Sequence, residues 1–193
     1  MEAHEVLEKV SRGEMSVGEA EAFFRREPFE DMGYAKLDTH RKLRNGAAEV
    51  VFCSGKADDH LVSIFQRLWE QNGEVFGTRA SRAQYELVRQ ELPELTYDAV
   101  SRIMKIEKPG KKKIGKIAVC TGGTADISVA EEAAQTAEFF GNHVDRIYDV
   151  GVSGLHRLLS RLDVIQSANC VVAAAGMEGA LASVIGGLVD KPV

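Results

Sequence analysis

The sequence predicts an α/β protein in which a C-terminal parallel sheet, covered by helices on both faces as three αβα layers, follows a smaller domain of helices and one β-α-β unit. Three observations lead there. From Lys116 onward, short apolar runs alternate with helix-length segments, the pattern of parallel strands joined by right-handed crossovers. A shorter run of the same kind lies upstream, and between the two "KPGKKKIG" is polar, basic and marked by proline and glycine, as a solvated hinge would be. The expected division is therefore a first domain over residues 1–108, a linker over 109–115 and a second domain over 116–193.

Each element has its own signal. Glu5 to Arg26 reads as two short helices broken at "RGEMS", where Ser16 and Glu19 have the spacing of a capping box. "GYAKLDTHRKLRNG" gathers Lys36, Asp38, His40, Arg41 and Arg44, a set able to bind an anion, although the same spacing describes a solvated connector. "AEVVFCSG" is a buried strand, "ADDHLVSIFQRLWEQNG" an amphipathic helix closed by Gly73, and "EVFGTRAS" a second strand. "RAQYELVRQELP" is a helix closed near Pro93, and "LTYDAVSRIMKIE" is extended. The second domain runs strand "KIAVC", turn "TGGTAD", helix "ISVAEEAAQTAEFFGN", strand "HVDRIYDVGV", helix "GLHRLLSRLDVIQS", strand "ANCVVAAAG" and helix "MEGALASVIGGLVD". The closing "KPV" resembles the opening of a further strand, so the sheet is expected to lack its last elements.

Composition narrows the classes of function. With 24 basic and 29 acidic residues the net charge is −5, which provides no global field for nucleic acid or an anionic membrane. No run of about 18 apolar residues occurs and the N-terminus lacks a leader pattern, so a soluble, cytoplasmic protein is expected. Cys53, Cys120 and Cys170 form neither a CxxC nor a His/Cys cluster, which leaves no zinc site or disulfide framework to expect.

Ligands of open parallel sheets gather at the carboxyl ends of the strands, where three turns carry chemistry. In "TGGTAD", Gly122 and Gly123 permit close approach, Thr121 and Thr124 offer hydroxyls, and a helix start offers N–H groups to a phosphate. Asp126 either caps that helix or accepts from sugar hydroxyls, with Ser128 and Glu131 as a rival cap. In "DVGVSGLHRLL", His156 is a packing residue or a catalyst, and Arg157 suits a phosphate through its planar fork. In "AAAGMEGALASVIGG", Gly176 and Met177 precede Glu178, which is either a dipole-stabilised acid at a helix start or a group that handles a proton.

Taken in order, "CTGGTADISVAEEA", "YDVGVSGLHRLL" and "AAGMEGALASVIGGLVDKPV", with "GYAKLDTHRKLRNGAAEVVFCSGK" and "GTRAS" upstream, resemble the LarB family of nickel-pincer nucleotide cofactor biosynthesis proteins. Their C-terminal domain is a variant of the aminoimidazole ribonucleotide carboxylase/mutase domain. The purine-pathway carboxylase itself is less similar, because its turn is Gly-Ser-x-Ser-Asp and its histidine segment Ser-Ala-His-Arg, where this sequence has "GGTAD" and "VSGLHR". It stands as the alternative, beside a nucleotide-binding module without catalysis.

The resemblance implies a pyridinium-3,5-biscarboxylic acid mononucleotide synthase. Such an enzyme carboxylates nicotinic acid adenine dinucleotide at C5 with CO2 or bicarbonate and cuts the phosphoanhydride to release AMP, with a divalent ion such as Mg2+ assisting. Asp126, His156 and Arg157 fall on the nucleotide-binding and histidine positions of the resembled domain; with the turns read above, Thr121, Gly122, Gly123, Thr124, Asp126, Arg157, Gly176 and Met177 are expected at the nucleotide, and His156 and Glu178 in catalysis. Lys36, Asp38, Arg41 and Arg79 are the expected substrate contacts from the first domain. A homo-oligomer, an octamer or smaller, is implied too. The family's nucleophilic cysteine lies in a C-terminal segment past "KPV", so a 193-residue chain is expected to bind nucleotide poorly and not to turn over.

Overall fold

The computed structural model describes residues 3–25 and 27–193. The chain opens with α1 (Ala3–Ser11) and α2 (Val17–Phe24), turned on Gly13 at φ 71°. Ser16 and Glu19 form the expected capping box, each side chain answering the other's backbone N–H. Arg26, where the sequence ends the second helix, lies outside the described residues.

The polar stretch that follows is structured rather than a solvated connector. β1 (Phe29–Asp31) pairs antiparallel with β2 (Lys36–Asp38), burying Leu37, and α3 (Arg41–Asn45) closes on Gly46 in the left-handed region. β3 (Val51–Phe52), α4 (Asp58–Asn72) and β4 (Val75–Thr78) make the β-α-β unit with parallel strands. Leu61, Ile64, Phe65 and Leu68 recur at helical spacing along α4 and are buried, each contributing about 1.5–3 kcal/mol. α5 (Arg82–Glu91) starts at a second capping box, Ser81 with Gln84. The segment expected to be simply extended folds back as a hairpin of β5 (Thr96–Asp98) and β6 (Ile103–Ile106), and the first sheet has the order β3-β4-β6-β5.

The second sheet is wholly parallel. β7 (Lys116–Thr121) lies between β8 (His143–Ile147) and β9 (Cys170–Ala174). α6 (Ile127–Phe139) joins β7 to β8, α7 (Leu155–Leu159) and α8 (Leu162–Gln166) join β8 to β9, and α9 (Ala180–Gly186) follows. Along β7, Ile117 and Val119 face α6, which packs with Ala130 and Ala134. Ala118 and Cys120 face the other layer with Leu158, Ile165, Leu181 and Ile185. The expected three αβα layers are therefore present around this sheet. Val171 of β9 donates its N–H to the Pro192 carbonyl at 2.9 Å, so "KPV" runs beside that strand.

Four expectations need correction. The helix read over "GLHRLLSRLDVIQS" is broken at Ser160 and Arg161, where the Ser160 hydroxyl turns back onto the Arg157 carbonyl at 2.7 Å. The last helix begins only at Ala180, because Gly179 sits at φ 73° and leaves Met177 and Glu178 in the loop before it. Ser128 and Glu131 form no cap: Glu131 instead accepts from Arg146 and Tyr148 at 2.8 and 2.6 Å. Lys111 is no solvated hinge. Its ammonium lies 2.7 Å from Glu74, donates to the Phe139 carbonyl at 2.6 Å and stands 3.7 Å from the Phe139 ring centre. That lysine joins the two halves next to a shared hydrophobic cluster of Phe76, Ile103 and Phe139, in which the Phe76 and Phe139 ring centres are 4.6 Å apart.

Candidate functional site

Strand order decides where the site lies. α6 covers one face of the second sheet and α7 and α8 the other, so the connections leaving β7 and β9 part on opposite faces and open a crevice at their carboxyl ends. The loops after β7, β8 and β9 enclose a cleft of about 640 Å3 there, within the usual range for small-molecule sites. Gly122 to Asp126 line it from the first loop, Gly151 to Ser153 from the second, and Ala175 to Glu178 with Leu181 from the third.

The loops are tied to one another through backbone. Gly122 donates its N–H to the Ala174 carbonyl and Val150 to the Thr121 carbonyl, both at 2.9 Å. The Asp126 carboxylate holds the first and third loops together, accepting from Gly123 N–H at 3.1 Å and from Gly176 N–H at 2.9 Å. A Cβ on Gly151 would stand 2.4 Å from the Gly122 carbonyl oxygen, so glycine is required for the second loop to approach the first.

These bonds sort the expected residues. Gly122, Gly123, Thr124, Asp126, Gly176, Met177 and Glu178 come together around the cleft, with Met177 95% exposed on its rim. The N–H groups of Gly122 and Gly123 are already used within the protein, which leaves the Thr124 and Ser153 hydroxyls to meet an anion. Thr121 is fully buried and its hydroxyl accepts from Asp149 N–H at 2.9 Å, so it supports the loops from beneath. His156 and Arg157 stand outside the lining. His156 is exposed, and Arg157 pairs with Asp149 at 2.7 Å. The residues missed from sequence are Ala125, Gly151, Val152, Ser153, Ala175 and Leu181; the two glycines flanking "VS" were their one local signal.

The expected contacts from the first half do not reach this cleft. Lys36 pairs with Asp31 at 3.1 Å, and Asp38 accepts from Arg44, whose hydrogen bond holds the Asp38 carboxyl below its ordinary range. The Nε of Arg41 is buried without a hydrogen-bond partner among the described residues. Arg79 lies between the halves and pairs with Glu132 of α6 at 2.6 Å.

Among the described residues no lining residue is a lysine, arginine or histidine, and the charged side chains are those of Asp126 and Glu178. Nor does a group of three or more His, Cys, Asp or Glu suited to a metal ion occur among the described residues. Burial pushes the Cys120 thiol up to about 11 and the Cys53 thiol up to about 12, so both are protonated at neutral pH. Cys170 opens β9, at the strand end away from the cleft. Among the described residues no helix is long and apolar enough to cross a membrane.

Residues 29–108 match a family described as the LarB/PurE-like N-terminal domain. The uncharacterized protein MJ0165 of Methanocaldococcus jannaschii is 35% identical over 199 residues, an alignment covering 98% of this chain and 78% of that protein. The chain therefore belongs to the family of that archaeal protein, and its residues 29–108 form a LarB/PurE-like domain.

Proposed function

We propose that the chain is the nucleotide-holding body of a pyridinium carboxylase in nickel-pincer cofactor biosynthesis. In this reading the cleft binds nicotinic acid adenine dinucleotide, the ring gains a carboxyl at C5 from CO2 or bicarbonate, and phosphoanhydride cleavage releases AMP. The observation that carries it is the charge of the cleft. Its charged lining groups, Asp126 and Glu178, suit a ring with a cationic nitrogen and offer less to a neutral aminoimidazole. The phosphate next to that ring is left to the Thr124 and Ser153 hydroxyls.

Carboxylation exchanges the C5 proton for CO2, so a base has to take that proton. Glu178 lies in the cleft without a hydrogen-bond or ion-pair partner among the described residues and fills this role better than His156, which lies outside the lining. A divalent ion would arrive with the substrate's pyrophosphate, because Asp126 is committed to two backbone N–H groups and no ligand cluster occurs among the described residues. The thiolate that activates the ring in the resembled family comes from none of the three cysteines, two of them buried and protonated and the third remote. Exposed Leu155 and Leu159 on α7, with Met177 on the cleft rim, support a homo-oligomer, an octamer or smaller.

The expected result is calorimetric binding of nicotinic acid mononucleotide in preference to aminoimidazole ribonucleotide. Turnover is read by mass spectrometry, with nicotinic acid adenine dinucleotide, bicarbonate and Mg2+, as one added carboxyl with release of AMP; it is expected only when a thiol reaches the cleft. Carboxylation of aminoimidazole ribonucleotide instead refutes the reading. A folded Cys120→Ser chain that loses an activity the parent possesses refutes the exclusion of Cys120.

A further inference from the structure

A second pocket, of about 80 Å3, lies between the two halves, and the cleft does not account for it. Arg79 and Arg102 line it from the first half, and Ser128, Val129 and Glu132 of α6 from the second. Both arginines are held at positive φ, 56° and 57°, a conformation that non-glycine residues adopt only when the surroundings enforce it. Two loops enforce it mutually. Arg102 donates from Nε to the Ala80 carbonyl at 3.2 Å and from Nη2 to the Arg79 carbonyl at 3.1 Å, while Ala80 N–H donates to the Arg102 carbonyl at 2.9 Å.

The guanidinium groups are only partly consumed. Arg79 uses Nε on Glu132 and is 47% exposed, so its terminal nitrogens have no hydrogen-bond partner among the described residues, and neither has Nη1 of Arg102. Val100 and Val129 flank the opening, 50% and 51% exposed, and offer an apolar surface beside the two cations. Position completes the picture. Asp126 lines the cleft and Ser128 and Val129 line this pocket, so the two open on either side of the same helix start, within about one turn, or 5.4 Å of rise.

We infer that the interdomain pocket is an anion subsite for the nucleoside monophosphate half of a dinucleotide whose other half fills the cleft. Its phosphate meets the open ends of Arg79 and Arg102 and the Ser128 hydroxyl, and the base lies over Val100 and Val129. Glu132 occupies Arg79 when no anion is bound and yields it on binding. This rests on the proposed occupancy of the cleft, and the two are separable by ligand.

The test is calorimetry with nicotinic acid mononucleotide, which reaches the cleft alone, and nicotinic acid adenine dinucleotide, which reaches both sites. Arg79→Gln is expected to weaken dinucleotide binding about ten-fold and to leave mononucleotide binding unchanged. Glu132→Gln removes the competing carboxylate and is expected to tighten the dinucleotide alone, with melting temperatures confirming that both variants fold. Arg79→Gln affecting both ligands equally, or neither, overturns the inference. So does Glu132→Gln weakening the dinucleotide, since that marks the ion pair as purely structural. If the parent chain fails to bind the mononucleotide, the cleft reading falls and this inference with it.

Discussion

Replacing Gly151 by alanine tests the construction of the cleft directly. The backbone there, at φ −59° and ψ 153°, suits any residue, so the substitution introduces no dihedral strain. Its cost is space. The new Cβ would lie 2.4 Å from the Gly122 carbonyl oxygen and 3.2 Å from the Gly122 carbonyl carbon, against an ordinary contact of 3.4–4 Å. The neighbour is backbone and cannot rotate away, so the two loops must part by about 1 Å, which at the overpacking scale costs about 1–3 kcal/mol. Because these loops are walls of one cleft, the same displacement is expected to weaken nicotinic acid mononucleotide by at least about ten-fold. Urea denaturation reads the first effect and calorimetry the second. Gly186→Ala in α9 is the control: its Cβ meets nothing within 4 Å, and removing a helical glycine should stabilise by about 0.5–1 kcal/mol. A Gly151→Ala chain with the parent's urea midpoint and affinity would refute the close contact.

Three further outcomes follow from side-chain partners. Arg146 hydrogen bonds hold Glu138 below the ordinary 4.5, and in Glu131 the bonds from Arg146 and Tyr148 outweigh the upward push of burial. The native state therefore binds fewer protons there than the unfolded chain, and the stabilisation is complete above pH 4.5 and lost as pH falls below it. Denaturation midpoints from pH 7 to pH 3 should fall less steeply for Arg146→Met than for the parent. Lys111→Met leaves the buried Glu74 carboxyl without its cation and should cost about 3 kcal/mol, most of it recovered by adding Glu74→Gln, both read by urea denaturation. A chromogenic aromatic disulfide should label Cys170 first and reach Cys53 and Cys120 only as fast as the chain unfolds.

Local signals were legible in the sequence and long-range ones were not. The Ser16 and Glu19 cap, the α4 stripe and the alternation of strands with helices in the second half depend on neighbours within a few residues, and all three are present, although two of those helices differ in their bounds. Leu155, Leu158, Leu162 and Ile165 keep helical spacing across Ser160, so periodicity alone could not reveal the break between α7 and α8. Glu131 left its local cap for Arg146, a partner on β8 that only the folded sheet brings near. "KPGKKKIG" has a linker's composition, yet Glu74 and Phe139 capture Lys111 from opposite halves. The turn "TGGTAD" was read as part of a site, but its glycine N–H groups bond within the protein, and Gly151, whose bareness lets the loops meet, carried a weaker signal.

The hydrophobic cluster of Phe76, Ile103 and Phe139 has a consequence for how the chain comes apart. Phe76 belongs to β4 and Phe139 to the last turn of α6, and each is buried by the other's half. Severing the chain near Gly110 would leave an aromatic face bare on both pieces, so neither is expected to remain soluble alone. Native-state hydrogen exchange should accordingly give the slowest amides of β4 and β7 one common opening free energy, as in a single cooperative foldon rather than two independently melting lobes.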